Sequence, residues 1–132
     1  MPEKKILIVD ADVASRNFIA RMLADQKYEV IQAGSGKEGL ICAWRDHPDL
    51  AIIDPTLIDL KGEEIARKLR QDSRTSAMPL IALSSDSSMV RIKSCLDAGF
   101  SEYITKSGQA VTLLNEAITR LFGIADVVVK QG

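Results

Sequence analysis

The chain predicts an α/β fold, a doubly wound five-stranded parallel sheet with helices on both faces, on three observations. Four short runs rich in Ile, Leu and Val each close on a polar residue: Ile6–Val9 at Asp10, Leu50–Ile53 at Asp54, Leu80–Leu83 at Ser84 and Tyr103–Thr105 at Lys106. Runs of that length read as strands buried on both faces, the mark of a parallel sheet. Between them lie segments with apolar residues at helical spacing, and strict β–α alternation implies right-handed crossovers with helices on both faces. The 132 residues, 46% of them hydrophobic, suit one domain with its own core.

Each element has its own warrant. After Asp10, the residues Phe18, Ile19, Met22 and Leu23 recur at helical spacing, with Asp12 as N-cap. Tyr28–Ile31 is the second strand. Ser35 stands three residues before Glu38, a capping-box spacing, and opens a helix carrying Leu40, Ile41 and Trp44 that Pro48 stops at His47. His47, the sole histidine, reads as a helix-end residue. Beyond Asp54 a loop leads to a helix with Ile65, Ala66 and Leu69 inward. Pro79 introduces the fourth strand. A serine-rich turn, Ser84 to Ser88, caps a helix holding Ile92, Cys95 and Leu96, which Gly99 ends. After the fifth strand, Leu114, Ala117, Ile118 and Leu121 form the stripe of a last helix ending near Gly123. Residues 1–123 make the domain and 124–132 a C-terminal tail or linker stub. There Val127–Val129 is open to three readings: a strand, a tail packed on the last helix, or the start of a linker.

Composition excludes several classes. A net charge of −1 exerts no pull toward nucleic acid or an anionic membrane. No apolar stretch approaches the ~20 residues of a membrane span. Lys4-Lys5 precede only four apolar residues before Asp10, too few for a signal peptide. Cys42 and Cys95 form no C-x-x-C pair and read as reduced, buried thiols of a cytoplasmic protein.

In an open parallel sheet the ligand crevice lies outside the carboxyl ends of the strands. Neighbouring strands are about 4.8 Å apart, so Asp10, Asp54, Ser84 and Lys106 are expected to converge there on one small ligand. Two carboxylates, a hydroxyl and an ammonium on one rim suggest a divalent cation and a phosphoryl group.

Taken together, ILIVD with Asp10, PDLAIID with Asp54, Gly62 downstream, PLIALSS with Ser84, and GFSEYITK with Tyr103 and Lys106 resemble the response-regulator receiver domain of two-component signalling, from about Lys4 to Gly123. The resemblance implies a flavodoxin-like sheet of order 2-1-3-4-5. It also implies a phosphorelay role without an enzyme's turnover: Asp54 accepts a phosphoryl group from a histidine kinase or phosphotransfer protein. Asp10, Asp54 and the backbone carbonyl of Thr56 would hold Mg²⁺, and Lys106 and Ser84 would bind the phosphoryl oxygens. Ser84 and Tyr103 would act as the switch, Tyr103 turning inward when the hydroxyl moves. The output would be a downstream protein or a fused effector domain. The face built by the fourth helix, fifth strand and fifth helix would carry Lys93, Asp97, Glu102, Glu116 and Arg120, a mixed-charge set that permits a weak homodimer.

The departures from the family pattern are specific. Ala11 replaces the second of two consecutive acidic residues at the end of the first strand, so the metal site is expected to be weakened. Pro55 follows the acceptor and lacks an N–H. Ile58 replaces a proline, and Ser107 follows Lys106 where the family commonly has a cis proline, so the Lys106–Ser107 peptide is expected to be trans. One alternative is therefore a non-phosphorylatable receiver-like interaction module. A remote one is a haloacid-dehalogenase-like phosphohydrolase using Asp10 as nucleophile and Asp12 as general acid, which lacks a placed acidic pair after Lys106 and leaves Asp54 idle. Gly34-Ser35-Gly36-Lys37 is no P-loop, because Ile31 and Glu38 stand where a glycine and a hydroxyl residue are needed.

Overall fold

A computed structural model describes residues 3–131, with side chains described for residues 3–123. Five parallel strands, β1 (Lys5–Val9), β2 (Glu29–Ala33), β3 (Leu50–Ile53), β4 (Leu80–Ser84) and β5 (Glu102–Thr105), lie in the order β2-β1-β3-β4-β5. The helices are α1 (Val13–Asp25), α2 (Gly36–Asp46), α3 (Gly62–Gln71), α4 (Met89–Ala98) and α5 (Ala110–Gln131). β1, β3 and β4 are buried almost throughout because helices cover both faces. Alternate residues point to opposite faces. Leu7, Val9, Ala51, Ile53, Leu80 and Ala82 pack with α2, α3 and α4. Ile6, Ile8, Leu50, Ile52, Ile81 and Leu83 pack with α1 and α5.

The caps fall where polar side chains can satisfy the free N–H groups at helix starts. Asp12 accepts from Ala14 N and Ser15 N at 3.1 and 3.4 Å, Ser35 from Glu38 N at 3.2 Å and Ser88 from Arg91 N at 3.3 Å. Glu38 reaches back to Gly34 N at 3.0 Å, one residue before the N-cap that a standard capping box would contact. α2 ends at His47 in the left-handed conformation, φ 50°, before Pro48. Gly99, at φ 128°, ends α4.

Four expectations are corrected. Phe18 is 61% and Ile41 55% exposed, so each belongs to the outer face of its helix. Ile19, Ala20 and Leu23 form the inner stripe of α1, and residues one apart are about 100° apart around a helix. Leu96 likewise faces out, while Cys95 is fully buried. The last helix does not end near Gly123: it continues to Gln131, because a glycine in a helix costs only about 1 kcal/mol and need not terminate it. That backbone excludes the strand reading of Val127–Val129, whose side chains, with Gly132, lie outside the described residues. No described helix is long and apolar enough to cross a membrane.

Candidate functional site

Register places the rim. Val9 pairs with Ile53, so Asp10 and Asp54 emerge side by side from β1 and β3. Ile53 pairs with Ala82, which sets Ser84 one residue beyond the level of Asp54. Ser84 pairs with Thr105, so Lys106 leaves β5 further out still and its side chain reaches back over the end of β4. Its Nζ lies 2.9 Å from Asp10 Oδ2 and 2.9 Å from Asp54 Oδ2. One ammonium, reaching across β4, thus bridges two carboxylates from the adjacent strands β1 and β3.

The environments of the two carboxylates differ. Asp10 is 5% exposed, and its Oδ1 accepts from Asp12 N at 2.9 Å. Asp54 is half-buried, and its Oδ1 accepts two bonds from Thr56, from N at 2.9 Å and from Oγ1 at 2.6 Å. Burial opposes ionisation of Asp54, but the Thr56 hydroxyl, the Lys106 ammonium and the Thr56 N–H outweigh it and hold its carboxyl below the usual range. Burial likewise works against the Lys106 charge, and the bonds to Asp54 and Asp10 overcome it and raise its pKa. The clasp by Thr56 was legible in Asp54-Pro55-Thr56, since an Asp side chain habitually accepts from the N–H two residues on.

Ser84 is fully buried at the same edge, yet its Oγ accepts from Asp86 N at 3.0 Å and so engages its own loop. The Tyr103 hydroxyl donates to Asp86 O at 2.5 Å, and its half-buried ring packs beside the α2–α3–α4 core. Tyr103 is thus already turned inward here. Burial raises its pKa, with the Ser84 hydroxyl acting in the opposite sense. Asp12 Oδ1 is the N-cap of α1, as its place at the helix start predicts.

The loop between β3 and α3 is tied at both ends. Asp59 accepts from Gly36 N and Lys37 N, at 2.9 Å each, at the start of α2. Gly62 N donates to Pro55 O at 3.1 Å. A Cβ on Gly62 would lie 2.5 Å from Pro55 Cβ, so the loop can fold back this closely only with glycine there. Between the ties, Ile58 is 100% exposed. Pro55 O also accepts from Arg91, a residue of α4 that no local pattern marks, because its partners are brought near only by the fold.

Asp10 and Asp54 offer two carboxylates at one edge, and the exposed Ala11 adds none. Among the described residues no group of three His, Cys, Asp or Glu could form a full metal cage. That donor set fits Mg²⁺, which commonly takes one or two carboxylates and completes its octahedron with waters and phosphate oxygens. Among the described residues no peptide bond is cis, so Lys106–Ser107 is trans as expected.

A family model described as "Response regulator receiver domain" matches residues 6–118. The chain is 27% identical over 106 residues to the two-component response regulator ORR3 of Oryza sativa subsp. indica, covering 80% of this chain and 81% of that one. It spans less than half the length of several other curated relatives. A CheY-like receiver domain protein of Methanospirillum hungatei superposes with a TM-score of 0.84 at 30% identity, covering 99% of this chain and all of that one. The receiver domain of sensor histidine kinase PA1611 from Pseudomonas aeruginosa, solved with magnesium coordinated in its active-site cleft, superposes with a TM-score of 0.84 at 25% identity, covering 92% and 99%. With this match across most of its length, and the strand order and rim that its own sequence builds, the chain belongs to the response regulator receiver domain family.

Proposed function

We propose that this receiver domain accepts a phosphoryl group on Asp54 from a phosphohistidine of a kinase or phosphotransfer protein and passes the change to a protein-interaction face in the cytoplasm. The observation that carries the reading is Lys106 Nζ at 2.9 Å from both Asp10 and Asp54. Phosphoryl transfer needs positioning and charge stabilisation more than covalent help, and a fixed cation beside the acceptor supplies the second. Asp54 Oδ1 already accepts two hydrogen bonds and Oδ2 one, so Oδ2 keeps a lone pair for attack on phosphorus. The new O–P bond makes an acyl phosphate as the P–N bond breaks, and the imidazole leaves with the electron pair. Mg²⁺, held by Asp10, the Thr56 carbonyl and Asp54 Oδ1 in exchange for the Thr56 hydroxyl, would neutralise charge on the phosphoryl oxygens. Lys106 orients the same oxygens, and the Ser84 hydroxyl donates to one of them once released from Asp86 N.

The second reading, a receiver-like module that is not phosphorylated, is favoured by Ala11, which contributes no carboxylate, and by Pro55, which contributes no N–H beside Asp54. Incubation with acetyl phosphate and Mg²⁺ followed by Phos-tag electrophoresis and intact-mass measurement separates them. A phosphoryl adduct that disappears in Asp54→Asn supports transfer, and an unmodified wild-type protein overturns it in favour of the interaction module.

A further inference from the structure

Arg91 is a second cation close to Asp54, and the chemistry above does not use it. It sits in the first turn of α4 with its side chain 22% exposed. A terminal guanidinium nitrogen donates to the backbone carbonyl of Pro55, the residue directly after Asp54. Its Nε lies 3.1 Å from Glu63 Oε2, at the start of α3, an ion pair in which the buried Nε makes no hydrogen bond among the described residues. The same carboxylate oxygen accepts from Ser94 Oγ at 2.7 Å, so α4 meets Glu63 from two positions three residues apart on one face.

Glu63 is 9% exposed, and its Oε1 has no hydrogen-bond partner among the described residues. A carboxylate so enclosed is tolerated because a cation and a hydroxyl face it. Burial opposes its charge, and Ser94 and Arg91 help to bring its pKa below the usual range. The Glu63 charge therefore holds the guanidinium close by attraction, and the directional bond of the guanidinium is to Pro55. The Pro55 carbonyl takes one donor from Gly62 N at 3.1 Å, at the start of α3, and a second from Arg91 in α4. Both lone pairs of that oxygen are thereby used. A planar guanidinium can donate to the Pro55 carbonyl while its charge lies against the Glu63 carboxylate, whereas an ammonium on a flexible stem has no such fixed geometry to hold both contacts.

We propose that Arg91 is a positioning residue that latches the acceptor loop to α4 through Pro55 and Glu63, so that loading of Asp54 displaces α4 and a partner seated on α4 in turn reshapes the loop. The coupling to loading rests on Asp54 being the phosphoacceptor, whereas the latch itself is present in the resting protein. Arg91 leaves the phosphoryl chemistry to Lys106 and acts only through the backbone of the residue that follows the acceptor. The Tyr103–Asp86 bond is a separate tie, from β5 to the loop before α4.

The test uses the 132-residue chain with Arg91→Gln, Arg91→Lys and Glu63→Gln, each checked for a cooperative melt. In the resting protein, amide hydrogen exchange at Gly62 is expected to rise at least about tenfold in both Arg91 variants, with the β1 and β3 amides unchanged. Glu63→Gln keeps Arg91 but loosens its seat, and it should give a smaller rise at the same amide. With acetyl phosphate and Mg²⁺, amide resonances of α4 should shift together with those around Asp54 in the wild type. In Arg91→Gln the shifts around Asp54 should persist while those of α4 fall by half or more.

Wild-type exchange at Gly62 in the variants, or α4 shifts of wild-type size in Arg91→Gln, would overturn the latch. An Arg91→Lys protein matching the wild type in both readouts would also overturn it, since charge alone would then suffice. If intact mass shows that the wild type takes no phosphoryl group, the acceptor reading fails and the proposed signalling through α4 fails with it. The resting-state exchange at Gly62 then decides independently whether Arg91 ties the loop to α4.

Discussion

At one corner of the sheet edge a single ammonium, Lys106, holds two carboxylates from different strands at 2.9 Å each. At the other corner Ser84, Asp86 and Tyr103 are joined through neutral groups: Asp86 N to Ser84 Oγ at 3.0 Å, and Tyr103 hydroxyl to Asp86 O at 2.5 Å. The charged corner sets a cation against two carboxylates, and a phosphoryl group arriving there would draw the ammonium away from them. In the neutral corner the hydroxyl is committed to its own loop and must be freed before it can serve a phosphoryl oxygen. Electrostatic readiness and conformational response are thus built from different materials. Charge–charge bonds span strands locked in a sheet, whereas backbone bonds tie a loop that can open at modest cost.

Removing the ammonium should have the largest effect. Lys106→Met keeps the apolar stem and deletes the charge, and acetyl phosphate labelling of Asp54 is expected to slow by about 10²-fold. Two partly buried carboxylates would lose their shared partner, at a cost of about 2 kcal/mol at pH 7, discounted for the solvent that reaches the lysine. Labelling kinetics and urea unfolding measure the two effects. A variant that labels as fast as the wild type would make the charged corner structural only.

Adding a carboxylate sharpens the same corner. Ala11→Asp places a third acid beside Asp10 and Asp54, and repulsion should lower metal-free stability by about 0.5–1 kcal/mol. The melting temperature should then climb more steeply with Mg²⁺ than in the wild type, and labelling should speed up. An unchanged Mg²⁺ response would show that Ala11 is not what limits the site.

The acid limb of stability isolates Asp54. Its carboxyl is depressed in the folded protein, so the stability it adds is fully present above the unfolded-state value of about 3.9 and is lost as pH falls through the lower folded value. Relative to Asp54→Asn, the wild type should therefore hold a constant stability difference from about pH 5 to 8 and lose it below about pH 4. Lys106 has the opposite sign: raised when folded, it adds stability that persists below about 10.4 and is lost only as pH rises through its higher folded value. Melting curves across the acid range check the first point, and a flat difference down to pH 3 would contradict it.

The smallest effect belongs to the neutral corner. Tyr103→Phe removes one hydroxyl bond while keeping the ring, and should cost about 1 kcal/mol with the labelling rate unchanged. Amide exchange at Asp86 and Ser88 should rise. A large loss of labelling would show that the two corners are not separable.

The rim was legible in the sequence because a parallel strand buried on both faces is a continuous apolar run, and the first polar residue after it must lie at the carboxyl edge. Asp10, Asp54, Ser84 and Lys106 each follow such a run, and the structure sets all four at that edge. The helix faces were less legible. Phe18 and Ile41 fit an apolar spacing, but a helix lying on a sheet buries a narrow stripe, and only the docking angle decides which of two neighbouring apolar residues enters it. Gly123 looked like a stop because glycine commonly caps helices, yet nothing there demands a left-handed turn and α5 runs on to Gln131.

The sequence by itself determined the strand–helix alternation, the polar residue at each strand end and the absence of a second acidic residue at Ala11, since burial and backbone period are local properties of the chain. Only the tertiary structure decided that Lys106 would bridge Asp10 and Asp54 across β4, that Tyr103 would reach Asp86, and that Arg91 would reach Pro55 and Glu63. Those contacts join residues far apart in the chain, and their geometry comes from sheet register and from the way α3 and α4 pack together, which no local pattern encodes.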